Sequence, residues 1–292
     1  MWSAFCFRLL SAVKLYLLGF KVLLAQLLNK PLRLPVMPRQ DGRVAIVTGG
    51  GRGIGYEVVR HLARLGAHVI IGGRDEQEGL AAIQRICAEY KEAKGGVMLV
   101  PEGRTDDGFE QHFAVNYLGH FLLTWLLLDT LKDSGRCGYV SSVVNVSSSV
   151  HRIGEIKLND LNCCQHYSAH AAYCNSKLAQ LLFSSHLHQE MQRGRVPVIS
   201  CAVDPGMVDT ALYCHLWTPL RMAQRLIARL LFRTPVEGAA TVLLAALSPA
   251  LDGDCGGGYW ANGHREVTTP PSFEPQLQLS LWEISLQLLS LQ

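Results

Sequence analysis

The first forty residues contain no acidic side chain, and their apolar stretch, Leu15 to Leu28, is broken by Lys21 before it reaches the roughly 18 uncharged residues that a confident membrane span needs. No clear small-x-small cleavage site follows it, which argues against a removed signal peptide and leaves secretion as the alternative. The nine cysteines are odd in number and irregularly spaced, and Cys163 and Cys164 are adjacent. A disulfide framework and a Cys-x2-Cys metal site are both excluded, and the expected setting is cytosol-facing. Eleven histidines form no zinc spacing, and His151, His166 and His170 read as solvated loop residues, so no metal is expected. There is no internal repeat and no low-complexity segment. Basic surplus is also missing outside the amino terminus: Arg8, Lys14, Lys21, Lys30, Arg33 and Arg39 account for more than the whole net charge of +3, so no nucleic-acid partner is expected.

What is present fits one large α/β domain. The chain has 292 residues and 49% hydrophobic content, enough for a buried core. Val44 to Val47 reads as a short buried strand. Thr48-Gly49-Gly50-Gly51-Arg52-Gly53-Ile54-Gly55 then opens a helix to about Leu65. Glycines at 49, 53 and 55 let backbone N–H groups approach a pyrophosphate, which the positive end of the helix also favours. A second strand, His68 to Ile71, ends in Gly72-Gly73-Arg74 with no acid to bind a ribose hydroxyl. Arg52 and Arg74 would meet a 2'-phosphate instead, which favours NADP(H) and leaves NAD(H) as the alternative. Farther on, Tyr173 and Lys177 are four residues apart and share a helical face. An ammonium beside a phenol stabilises the phenolate and brings the tyrosine toward proton exchange with an alcohol.

Gly-x3-Gly-x-Gly after a strand, followed by Tyr-x3-Lys, resembles the short-chain dehydrogenase/reductase family, and further matches run from about Arg43 to Trp260. The longer spacing from Ser148 to Tyr173 is similar to the retinol-dehydrogenase-like branch. The resemblance implies a Rossmann-like doubly wound parallel sheet in a single domain. It implies catalytic roles for four residues: Asn116 near the lysine, Ser148 on the substrate oxygen, and Tyr173 with Lys177 for proton transfer. It places the cofactor on Thr48, Gly49, Arg52, Gly53, Ile54, Gly55, Arg74, Tyr173, Lys177, Pro205, Gly206, Val208 and Thr210. Ser147, Ser148 and Ser149 are neighbours in one strand, so Ser148 rests on the resemblance. The implied chemistry is interconversion of a lipophilic alcohol, of polyprenol, dolichal or retinoid type, with its aldehyde or ketone.

Organisation follows from the same reading. Residues 1–40 form a membrane-associating helix or signal anchor, with Lys14 and Lys21 on one face of a helix lying in the membrane interface. Residues 41–265 form the dehydrogenase domain and 266–292 a carboxy-terminal tail, helical over Leu277 to Leu291. Endoplasmic reticulum membrane or a lipid surface is the expected location. The stretch Arg221, Arg225, Arg229, Arg233 reads as a basic amphipathic helix over the substrate, with an ordinary surface helix equally compatible. Thr234-Pro235-Val236-Glu237 starts a helix with a capping box. The apolar stripe Phe109, Phe113, Tyr117, Phe121, Trp125 would serve either a homodimer or the core.

One departure stands out. Only about a dozen residues separate the helix ending near Lys94 from the next helix near Gly108, whereas a strand, crossover helix and returning strand need about 30. The deletion falls near 95–104. It removes the family's third and fourth strands, and Val97 to Val100 is the one candidate to fill the gap. The central sheet is therefore expected to be incomplete, with weak cofactor binding. A catalytically impaired splice-form relative that binds membranes or partners is the alternative function.

Overall fold

The computed structural model describes residues 2–73, 104–136, 140–209, 231–247 and 256–291, together with Gln77, Gly79, Ala81, Ala82, Arg85, Ile86 and Ala228. In chain order the main elements are α1 (Trp2–Leu28), β1 (Val44–Thr48), α2 (Gly53–Arg64), β2 (His68–Gly72), α3 (Gly119–Arg136) and β3 (Ser141–Val146). They continue with α4 (Ala169–Arg193), β4 (Val198–Asp204), α5 (Pro235–Leu247), β5 (Tyr259–Ala261), β6 (His264–Glu266) and α6 (Pro275–Leu288). The chain separates into two compact units, one of Met1–Val22, Val97–Asp204 and Pro249–Gln292, the other of Leu23–Gly96 and Pro205–Ser248.

In the smaller unit β1 and β2 pair in parallel, from Val44 opposite His68 to Thr48 opposite Gly72. The crossover between them is α2, whose buried Val58, Val59 and Leu62 recur on one face. Val59 and Ile86 pack with Val47, Tyr56, Val69 and Ile71. That covers one face of the two-stranded sheet. On the other, Val44 is 63% exposed, Ile46 44% and Ile70 46%. The reading of Val44 to Val47 as a buried strand is thus corrected for half of its side chains. A parallel sheet ordinarily has helices on both faces, and among the described residues β1 pairs with no strand besides β2. Residues 97–100, the candidate to fill this gap, lie outside the described residues.

Helix α5 begins as its sequence dictates. The backbone N–H of Glu237 donates to Thr234 Oγ1 at 3.3 Å, and that of Thr234 donates to Glu237 Oε2 at 2.8 Å, the reciprocal pair of a capping box. Gly238 permits close packing of this helix, because a Cβ there would sit 2.6 Å from Val208 Cγ2 and 3.2 Å from Ile54 Cγ1.

The larger unit holds a four-stranded sheet in the order β3-β4-β5-β6, parallel except for the final antiparallel hairpin. Its central strand β4 is buried at all seven positions, as a parallel strand covered on both faces must be. Helix α4 is buried around most of its circumference and packs against β4, α3 and α6. Of the two readings of the apolar stripe, homodimer face or core, the structure shows core: Phe113, Tyr117 and Phe121 are buried with Leu178, Leu182, Phe183 and Leu187. The carboxy-terminal segment joins this core. Leu281 is buried there, Trp282 stacks on Phe183 with centroids 5.9 Å apart, and Ser285 Oγ meets Tyr117 Oη at 2.7 Å.

Helix α1 exposes Phe5, Leu9, Leu17, Phe20, Leu24 and Leu28, among others, and Lys14 and Lys21 are exposed with them. Among the described residues no helix is long and apolar enough to cross a membrane. Its first turns rest on residues 157–170. Arg8 Nε donates to the Tyr167 carbonyl at 3.0 Å, and the Phe7 and Tyr16 rings approach His166 and His170.

Candidate active site

The predicted catalytic residues all lie in the larger unit, on three adjoining segments. Ser168 caps α4 by accepting the Ala171 N–H, and the helix then carries Tyr173 and Lys177 one turn apart. Tyr173 is buried, and Lys177 Nζ lies 5.9 Å from the centroid of its ring. The ammonium donates to the Val146 carbonyl at 2.8 Å and to Gln180 Oε1 at 3.0 Å. Burial lowers the lysine to about 8, partly offset by the negative charge of Asp204. Nearby His120 is also lowered from its ordinary value, first by burial and then by the charge of Lys177.

This lowered value makes a testable statement about stability. A group whose folded pKa is below its unfolded one binds its proton more tightly in the unfolded chain, so the burial penalty is complete below about pH 8 and vanishes above about 10.5. Denaturant midpoints of the wild type are expected to gain on those of Lys177→Met as pH rises through that window. Parallel curves would show that the lysine is not desolvated.

The strand ends at Val146, earlier than the sequence suggested, and the three serines beyond it separate by function. Ser147 Oγ donates to the Lys177 carbonyl at 2.9 Å and Ser149 Oγ donates to Asp204 Oδ2. Among the described residues the Ser148 hydroxyl makes no hydrogen bond to protein. Ser148 has extended backbone and begins the 3-10 helix Ser149–Ile153. Asn116 lies in a π-helical turn, Ala114–Leu118, of the kind found at functional sites. Its Nδ2 donates to Ser176 Oγ at 3.1 Å, and that hydroxyl in turn donates to the Tyr173 carbonyl at 2.8 Å, so Asn116 reaches the pair through Ser176.

Two features of this unit carried no recognisable sequence signal. Glu110 accepts the N–H groups of His112 and Phe113 and the Nδ1 of His112 at 2.8 Å, and the fully buried His112 ring stands edge-on to Tyr173 with centroids 6.3 Å apart. Asp204, the last residue of β4, is buried and accepts from Ser149 and Tyr259. His151 is corrected from a solvated loop residue to a fully buried one, lowered by burial to about 4. Its Nδ1 is the protonated nitrogen, since it meets the Ser148 carbonyl at 2.7 Å. Among the described residues no cluster of histidine, cysteine and acid could hold a metal.

The glycine turn and the Pro205-Gly206 segment belong to the smaller unit. Gly49 and Gly53 have φ of +70° and +58°, which favours glycine. A Cβ on Gly55 would lie 2.2 Å from the Gly49 carbonyl oxygen and 2.6 Å from Gly50 Cα, so the turn closes only without one. Arg52 at the head of α2 makes no side-chain cap hydrogen bond, and Ile54 follows within the first turn. Thr48 ends β1. This cradle suits a phosphate group. Arg85, unremarked in the sequence, donates to the Gly51 carbonyl at 3.4 Å and lies over the Tyr56 ring at 5.3 Å.

Gly206 has φ of +82°. Arg233 donates to the Pro205 carbonyl at 3.3 Å, and buried Val208 forms a bridge with Arg233. Gln26 of α1 embraces Met207, accepting its N–H at 2.6 Å and donating to its carbonyl at 3.4 Å. Arg74, Thr210, Arg221, Arg225 and Arg229 lie outside the described residues.

The strand, glycine turn and helix, followed by Tyr-x3-Lys on a buried helix, define an α/β dinucleotide-dependent oxidoreductase. The chain belongs to the short chain dehydrogenase family, whose profile matches residues 43–100 and again 95–218. The chain is accordingly an NAD(P)-dependent oxidoreductase, and its dehydrogenase relatives support alcohol–aldehyde interconversion. Polyprenol dehydrogenase of Danio rerio is 47% identical over 317 aligned positions, covering 97% of this chain and 98% of that one. Retinol dehydrogenase 12 of Bos taurus is 35% identical, covering 86% and 87%. A crystallised protein of Mycobacterium paratuberculosis shares the fold with a TM-score of 0.69 and 28% identity, covering 87% of this chain and 96% of its own. The 317 aligned positions outnumber the 292 residues here, and the family match breaks into two pieces that meet at 95–100.

Proposed function

We propose that the chain interconverts a lipophilic isoprenoid alcohol of polyprenol or retinoid type with its carbonyl form, at a membrane surface, using NADP(H) in preference to NAD(H). The observation that carries this reading is the Tyr173-Lys177 pair, with a half-buried lysine one turn from a buried tyrosine. Tyr173 Oη would accept the alcohol proton in oxidation and return it to the carbonyl oxygen in reduction. Lys177 would favour the phenolate. Ser148, whose neighbours' hydroxyls are engaged elsewhere, is the serine suited to orient the substrate oxygen. Asn116 would steady the pair through Ser176.

A bound nicotinamide supplies the hydride acceptor or donor. Gly49, Gly53, Ile54 and Gly55 would hold its pyrophosphate, with Thr48 alongside. Pro205, Gly206, Val208 and Thr210 would meet the nicotinamide end. Arg52 and Arg74 would meet a 2'-phosphate. Weak affinity is expected, because one face of the β1–β2 sheet is exposed.

The substrate class rests on the names of the relatives and on α1, whose exposed apolar side chains suit insertion into a lipid interface. Residues 1–40 would dock to the membrane, with 41–265 carrying the chemistry and 266–292 completing the core. Turnover of a polyprenol in phosphatidylcholine vesicles, measured with NADP+ and with NAD+, tests this. Faster turnover with NADP+ is expected. Equal rates would remove the cofactor assignment, and no turnover of polyprenol or retinol with either would remove the substrate assignment.

A further inference from the structure

Glu110 and His112 form a buried pair that the reaction described above leaves unused. Glu110 caps the short helix Gln111–Phe113, its carboxylate accepting the N–H groups of His112 at 2.9 Å and of Phe113 at 2.7 Å. Its own N–H donates to Asn162 Oδ1 at 2.9 Å, so backbone and side chain are both fixed. The same carboxylate meets His112 Nδ1 at 2.8 Å. A carboxylate that accepts two backbone N–H groups is the acceptor here too, so Nδ1 carries the proton.

The other ring nitrogen is left bare. His112 is fully buried, and its Nε2 has no hydrogen-bond partner. A buried nitrogen lone pair is costly unless a donor reaches it. The two nitrogens of an imidazole point apart, so Nε2 opens away from Glu110. Beside the ring stands Tyr173, buried and edge-on, with centroids 6.3 Å apart. Nε2 and the phenol are not bonded directly, and one water that accepts from the phenol and donates to Nε2 would join them. Other titratable groups surround the pair. The charge of His112 acts on His170 of α4. Glu110 shares a small cleft with half-buried Asp160 and Cys163 and with exposed Glu155 and Lys157.

We propose that His112 and Glu110 are positioning residues that act through Tyr173: His112 Nε2 receives the phenol proton by way of one water, and Glu110 holds the imidazole in place and balances the charge it gains. This rests on the proton-transfer role of Tyr173 given above. In oxidation the alcohol proton passes to the Tyr173 oxygen, and one proton moves on through the water to Nε2. The phenolate is thereby restored, and the imidazolium stays paired with the Glu110 carboxylate, as behind the histidine of a serine-histidine-aspartate triad. In reduction the same proton returns to Tyr173 and from there to the carbonyl oxygen.

The test is the nitrogen spectrum of His112 in the full chain carrying 15N-histidine, assigned through the backbone of Gln111 and Phe113 and recorded without substrate in mildly alkaline buffer. The resting protein should show a protonated Nδ1 and a bare Nε2. Tyr173→Phe keeps the ring beside His112 but removes the hydroxyl, so it should displace the Nε2 resonance and leave Nδ1 in place. A proton on Nε2, or an Nε2 resonance unmoved by Tyr173→Phe, overturns the proposal. In polyprenol oxidation His112→Asn, whose amide still reaches Glu110 in place of Nδ1, should lower kcat about tenfold with little change in KM. An unaltered kcat, or a loss confined to KM, overturns it equally. Should His112→Asn fail to fold, the spectra of the wild type and Tyr173→Phe decide alone. A wild type without turnover would sink the substrate reading alone, because the spectrum needs no substrate.

Discussion

Tyr173→Phe should reduce turnover of a lipophilic alcohol by roughly 10²- to 10⁴-fold, the usual contribution of a positioned proton-transfer group. The substitution removes one oxygen and leaves a ring of the same shape in the same buried place, so folding is expected to be nearly unchanged. Lys177 keeps its hydrogen bonds to Val146 and Gln180, since neither involves the phenol. The loss should therefore appear in kcat, with substrate and cofactor binding retained. Near-UV circular dichroism beside steady-state kinetics separates the two effects. A variant that turns over within threefold of the wild type would show that Tyr173 moves no proton.

Gly55→Ala should weaken both the fold and cofactor binding, through backbone contact. The new methyl would meet the Gly49 carbonyl oxygen and Gly50 Cα, neither of which can swing aside as a side-chain tip could. Opening the turn to admit it is expected to cost about 1–3 kcal/mol of stability and to reduce NADPH affinity at least about tenfold, as N–H groups lose their convergence on phosphate. Gly72→Ala is the matched control. A Cβ there would approach Thr48 Cγ2 at 3.5 Å, an ordinary contact, so its effect should stay within about 0.5 kcal/mol. Urea unfolding and NADPH fluorescence titration of both variants check this. Equal behaviour would mean that the glycine turn is not the closed cradle described here.

Much of the site was readable because its signals are local. Thr48 to Gly55 needs small residues at fixed offsets, and the structure shows why in two positive φ angles and one excluded methyl. The capping box at Thr234 and Glu237 is a four-residue pattern, and it formed as written. Tyr173 and Lys177 share a face because four residues make about one helical turn. Asp204 was passed over because its partners, Ser149 and Tyr259, are 55 residues away on either side, and nothing in Asp-Pro-Gly announces a buried charge. The same holds for His112, whose burial against Tyr173 depends on long-range packing. The carboxy-terminal segment read as a tail because its apolar residues have no strict period, yet Leu281 and Trp282 complete the aromatic core.

The expectation of a shortened crossover rests on length alone, since a strand, helix and strand cannot be made from a dozen residues. The burial of β1 and β2 was less legible. Val44, Ile46 and Ile70 look like core in sequence, because an apolar β-branched strand reads the same whether one or both faces are covered. Only the structure reveals that α2 covers Val47, Val69 and Ile71 while the opposite face stays exposed.

Transfer of deuterium is the most direct test of the central claim, that the Tyr173-Lys177 pair serves alcohol–carbonyl interconversion. The wild type and Tyr173→Phe would be incubated with polyprenal and NADPH deuterated at the nicotinamide C4, and the recovered polyprenol analysed by mass spectrometry. The account predicts one deuterium at the alcohol carbon with the wild type and almost none with Tyr173→Phe. Unlabelled alcohol, absence of alcohol, or equal labelling by both proteins would contradict it.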